Sequence, residues 1–151
     1  MTDCSPRVCP LPLLLAAGLI LLASLPAAAG GFGPRLGLED GDDFFLGAQG
    51  ELGPVLGEAN LVPGLDFRLG DSGTTTANVD LRWYLLPLPD TGLRFYGAAG
   101  PTLVLSPGTE LGLSLSVGLN IPMQSNRRYN VEYRFGLGDI PESKVAVAVL
   151  F

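Results

Sequence analysis

The sequence contains no histidine, and its two cysteines, Cys4 and Cys9, both lie near the amino terminus. Only one lysine occurs, Lys144, and only one tryptophan, Trp83. Each scarcity excludes something. Without histidine there is no imidazole base to activate a serine, so Ser114 and Ser116 are poor candidates for nucleophiles. Without cysteine beyond residue 9 there is no disulfide framework and no thiol chemistry in the rest of the chain. Gly97-Ala-Ala-Gly100 is not a phosphate loop, because no helix follows it and no lysine is placed to reach a phosphate. The Asp40-Gly-Asp-Asp43 run lacks the spacing of a complete calcium loop. No metal or cofactor is expected, and catalytic residues are expected to be absent. The net charge is −6, which argues against nucleic acid as a partner. Helical periodicity is missing after residue 30.

The amino-terminal segment has the form of a secretory signal peptide. Arg7 supplies positive charge, Leu11 to Leu25 is apolar, and Ala27-Ala-Ala29 offers a cleavage site. An apolar run of about 15 residues is short of the roughly 20 needed for a spanning helix. Residues 1–29 are therefore expected to be a cleaved leader, and residues 30–151 a single domain.

In place of helical spacing, the period is two. In Glu110–Ile121, Leu111, Leu113, Leu115, Val117, Leu119 and Ile121 share one face, while Glu110, Gly112, Ser114, Ser116, Gly118 and Asn120 share the other. Seven further segments alternate in the same way: about 34–39, 43–52, 60–69, 77–86, 93–105, 129–137 and 144–151. Turn-like separators divide them, such as Asp40-Gly-Asp42, Gly70-Asp-Ser-Gly73 and Asp139-Ile-Pro-Glu-Ser143. Eight strands at this spacing point to an all-β sandwich or up-and-down barrel. Pro63 and Pro101 fall inside two of the segments. A proline gives no ladder donor, so a bulge is expected at Pro101 and a late strand start near Pro63.

Alternation shows two faces without saying which one is wet. Three features favour an apolar outside. The polar face is rich in small residues that suit a narrow interior. Its strand charges are balanced: Arg35, Glu39, Glu51, Asp66, Arg68, Asp80, Arg82, Arg94, Glu110, Glu132, Arg134 and Lys144. This suits a lumen closed by ion pairs, since a lone buried ion costs several kcal/mol. The aromatics also fall at two levels, with Trp83, Phe95, Tyr129 and Phe151 towards one end and Phe44, Phe67 and Phe135 towards the other. That is the layout of two interfacial girdles.

Arg82-Trp-Tyr84, Arg94-Phe-Tyr-Gly-Ala-Ala-Gly100 and Glu132-Tyr-Arg-Phe-Gly136 resemble strand motifs of small eight-stranded outer-membrane proteins of the OmpA/OmpX and opacity-protein type. The resemblance implies an antiparallel up-and-down transmembrane barrel in the outer membrane of a Gram-negative-type bacterium. It also implies a narrow, plugged interior and a structural or surface role. A terminal strand ending in Phe151 resembles the closing strand that the barrel assembly machinery reads in such proteins. The implied partners are outer-membrane lipid and that machinery, and the oligomeric state stays open. The candidate outer loops are short, unlike those of adhesive family members. The alternative is a secreted or periplasmic soluble barrel with Trp83, Leu111, Leu113 and Leu115 turned inwards around a small apolar ligand.

Overall fold

The computed structural model describes residues 30–70, 73–89, 91–105, 108–123 and 126–151. The expected leader, residues 1–29, lies outside them. Eight antiparallel strands follow one another: β1 (Gly31–Glu39), β2 (Asp43–Leu56), β3 (Ala59–Leu69), β4 (Thr75–Pro87), β5 (Arg94–Leu105), β6 (Thr109–Pro122), β7 (Arg128–Gly138) and β8 (Ser143–Leu150). Each pairs with its sequence neighbours, and β8 closes on β1, so the barrel has no edge strand. The closing ladder runs from Glu39↔Lys144 to Arg35↔Ala148. It is extended where the Phe151 and Phe32 amides donate to each other's carbonyls, at 3.0 and 3.4 Å.

The register fixes the shape. Followed across the strands, the register carries Gly31 through Glu51, Val62, Asp80, Gly100, Ser114 and Gly136. It returns to β1 about ten residues further along, a shear of about 10, which tilts eight strands by about 40° and sets a radius of about 8 Å. Such a barrel has room inside for side chains only.

Side chains fall on the two surfaces as the alternation requires, with the apolar set outside. Leu111, Leu113, Leu115 and Val117 are 70, 59, 48 and 56 % exposed, and Trp83, Val145 and Val147 are also exposed. The inverted arrangement, with Trp83 and the β6 leucines around an internal ligand, is not adopted. The polar set fills the interior.

Both proline expectations need correction. Pro101 pairs with Leu113 in an unbroken β5–β6 register, and β3 begins at Ala59 with Pro63 paired to Val79. Each missing N–H instead coincides with a gap on the other side of its strand. The β2–β3 pairing skips from Gln49↔Gly64 to Leu52↔Leu61, and the β4–β5 pairing skips from Asn78↔Thr102 to Leu81↔Ala99. A ladder can lose one bond beside a proline without losing register. The actual irregularities lie at Leu52–Leu56 of β2 and Tyr84–Leu86 of β4.

Small interior residues make room for large ones. A Cβ on Gly118 would stand 2.3 Å from the Tyr96 ring. One on Gly136 would stand 2.0 Å from the Pro141 carbonyl, where the β7–β8 turn tucks Ile140 into the distal mouth. A Gly118→Leu substitution is therefore expected to overpack the lumen and cost about 1–3 kcal/mol, measured by urea unfolding of the reconstituted protein. Gly97→Leu on the outer surface, where the nearest side-chain atom is 3.6 Å from the new Cβ, should be tolerated.

Candidate functional site

The interior is the distinctive feature, and β-strand alternation builds it. Every second residue of each tilted strand points inwards, and the tilt brings residues of non-adjacent strands to one height. The mouth where Gly31 begins is called proximal here, and the mouth at the β1–β2 turn distal.

The buried charges form one connected chain from mouth to mouth. At the proximal mouth Arg128 approaches Glu51 at 3.4 Å. Glu51 also accepts from Asn60 (2.7 Å) and from the Tyr84 hydroxyl (2.8 Å), and Arg82 stands 3.7 Å away. Arg82 then reaches Glu132 at 3.3 Å and lies over the Tyr96 ring, 4.1 Å from its centroid. Glu132 is the hub. It also receives Arg134 (2.9 Å), Arg35 (3.7 Å) and the Tyr96 hydroxyl (3.1 Å).

Two branches leave the hub. Arg134 continues to Asp80 at 2.6 Å, with Ser114 and Thr102 attached by hydrogen bonds. Arg35 continues to Asp66 (3.3 Å), which meets Lys144 at 3.4 Å, and Lys144 meets Glu39 at 2.5 Å. Glu39 pairs with Arg68, which ends the chain at Asp43 (3.0 Å) and Asp40 (3.8 Å) in the distal turn. Phe45 sits inside between Arg35 and Lys144, with both cations on its ring.

Charge dominates this packing over ideal hydrogen-bond geometry. Arg35 Nε and Nη2, Asp66 Oδ1, Arg82 Nε and Glu51 Oε2 have no hydrogen bond of good geometry among the described residues, although opposite charges lie at 3.3–3.7 Å for four of these atoms. A void of only about 10 Å³ remains among Asp66, Thr76, Asn78, Ser114 and Arg134, roughly the minimum for a single water. Larger spaces open at the ends, about 760 Å³ at the distal mouth and about 560 Å³ at the proximal mouth.

Ten of the twelve strand charges expected inside meet in this chain. Arg94 and Glu110 do not. Both stand exposed at strand ends, Arg94 proximally and Glu110 distally, with no ion pair among the described residues. Face alone assigned them; their height removes them. Asp80 and Arg82, two apart on one face, also choose other partners, whereas Glu132 and Arg134 do pair. Residues that sequence reasoning missed are Arg128, Tyr84, Tyr96, Phe45, Asn60, Asp40 and Asp43. Of these, Tyr84 and Tyr96 share the parity of Asp80, Arg82 and Ala98, which was the available signal.

Outside, the register sorts the aromatics into two levels. Trp83, Phe95, Tyr129 and Phe151, joined by Phe32, lie proximally; Phe44, Phe67 and Phe135 lie distally. The levels are about 17 Å apart along the barrel axis at this tilt. Aliphatic residues occupy the zone between them, with Tyr133 packed edge-on against Phe135 at 4.5 Å between centroids.

An aliphatic exterior over an ionised, filled interior is the inverse of a soluble barrel and defines a barrel of the transmembrane type. The comparison with solved structures agrees on the fold. The chain is similar to the N-terminal β-barrel domain of Pseudomonas aeruginosa OprF, with a TM-score of 0.60 and 16 % identity, over 80 % of this chain and 92 % of that one. No protein-family profile matches the sequence, and no curated protein does.

Proposed function

We propose that this protein is a non-catalytic outer-membrane barrel with a structural or surface role, exported by the leader at residues 1–29 and kept closed by its ion-paired lumen. The observation that carries the reading is the inverted polarity. The β6 leucines face outwards while Arg35, Glu51, Asp80, Arg82 and Glu132 are at most 4 % exposed. A lipid environment rewards this arrangement, and closure of β8 on β1 satisfies the backbone with no edge exposed to hydrocarbon. The two aromatic levels then act as interfacial girdles. Phe151 is seated in the closing ladder beside Phe32.

Two measurements test this. Expressed with its leader in a Gram-negative host, the protein should fractionate with the outer membrane and migrate faster unheated than boiled on a denaturing gel. Recovery as a soluble periplasmic protein would sink the proposal. Ser114→Arg should abolish the fast-migrating form, because Ser114 is 1 % exposed and already hydrogen-bonded to Thr102 and Arg134. On a wet outer surface the same change would be nearly silent.

A further inference from the structure

Among the described residues, acids cluster at one mouth and arginines at the other. Asp40, Asp42, Asp43, Glu110, Asp139 and Glu142 gather at the distal mouth around Arg68, whereas Arg94, Arg127 and Arg128 gather at the proximal one. Among the described residues the proximal acids are the buried Glu51 and Glu58 in the β2–β3 turn. From this we infer that the proximal mouth is an anion site built for a phosphate-class group.

The register sets the geometry. Arg94 of β5 pairs across to Asn120 of β6, and Pro122 of β6 pairs across to Arg128 of β7. The two arginines therefore flank the end of β6, about 12 Å apart at the backbone, two strand spacings across and two residues along. Side chains of that length converge readily on one anion, and guanidinium planes match phosphate oxygens two at a time. Between them a cavity of about 560 Å³ opens, lined also by Asn120, Asn126 and Gly92.

The arginines differ in what already holds them. Arg128 is anchored by Glu51 at 3.4 Å and is 27 % exposed at its side chain. Arg94 lies over the Tyr84 ring, 5.8 Å from its centroid, and has no carboxylate within pairing distance among the described residues. Among the described residues Arg94 is thus the strand arginine without an acid, in a network that pairs the others, and an external anion would supply one. Arg127 lies on the Phe151 ring at 5.1 Å, which holds a third positive charge at the level of the proximal aromatics. A lipid headgroup phosphate and a free phosphate present the same chemistry to this site.

The test uses the barrel folded in non-ionic maltoside micelles, which contain no phosphate. Amide shifts of Gly92, Asn120, Asn126 and Arg128 are followed by NMR. One arm adds inorganic phosphate against chloride at matched ionic strength; the other dopes the micelles with phosphatidylglycerol. Saturable shifts with inorganic phosphate identify a free anion as ligand. Saturable shifts with the lipid alone identify a headgroup. Arg94→Gln should weaken either by about tenfold while the heat-modifiable migration is retained, and Arg128→Gln should weaken it too. Glu110→Gln at the distal mouth should leave the shifts alone. Shifts that do not saturate, that chloride reproduces, or that survive Arg94→Gln would overturn the inference.

Discussion

Replacing Glu132 with leucine is expected to destabilise the folded barrel by about 3–5 kcal/mol, the usual cost of removing one partner from a buried ion pair. Glu132 answers three guanidiniums at once, those of Arg35, Arg82 and Arg134, and accepts from the Tyr96 hydroxyl. Arg134 keeps Asp80, Arg82 keeps Glu51 and Arg35 keeps Asp66, so the carboxylate's loss leaves three cations facing one another across the lumen with six ion pairs reduced to three. Urea unfolding in lipid vesicles should show a lowered midpoint. Because the group is buried, added salt should recover little of the loss. The paired replacement Glu132→Leu with Arg35→Met should cost less than Glu132→Leu alone, since it removes one of the cations that lost the acid while Asp66 keeps Lys144. If the single and double variants unfold alike, Glu132 is not the hub.

The extent to which this interior was legible follows from what a period of two can carry. Parity placed Arg35, Glu39, Glu51, Asp66, Arg82, Glu132 and Lys144 on one surface, and charge balance pointed to that surface as the inside. All eight strands were placed to within a few residues. The first and second were under-extended, because Gly31-Phe-Gly-Pro34 and Gly53-Pro54 look like loop composition, yet closure of the barrel recruits them as strand.

Height was not legible. Arg94 and Glu110 have the correct parity but sit at the rims, and only the register and the shear of about 10 show it. Partner choice depends on the same quantity. Glu132 of β7 reaches Arg35 of β1 and Arg82 of β4 because the tilt brings distant strands level, which no spacing along the chain encodes. Tyr96 was hidden by its type: an aromatic on the polar face looks like a break in the pattern until Gly118 is seen to vacate the space for its ring.

An arginine scan along β6 gives the second large effect, and it reads orientation and depth together. Leu111, Leu113, Leu115, Val117, Leu119 and Ile121 share the outer face of one strand. The register puts Leu111 above the distal aromatics, Ile121 below most of the proximal ones, and Leu115 and Val117 midway between the two levels. In a bilayer the cost of an outward arginine peaks at the midplane, about 2–4 kcal/mol, and falls to about 0–1 near the interfaces. Leu115→Arg and Val117→Arg should therefore lower the unfolding free energy in vesicles most, Leu113→Arg and Leu119→Arg less, and Leu111→Arg and Ile121→Arg least. The profile is symmetric because lipid, not neighbouring side chains, sets the penalty. Were the leucines facing water, all six changes would be small and flat along the strand. Were they facing a core, all six would be severe, with no relief at the ends until the barrel itself stops. A single maximum centred on Leu115 and Val117 fits only an aliphatic belt immersed in hydrocarbon.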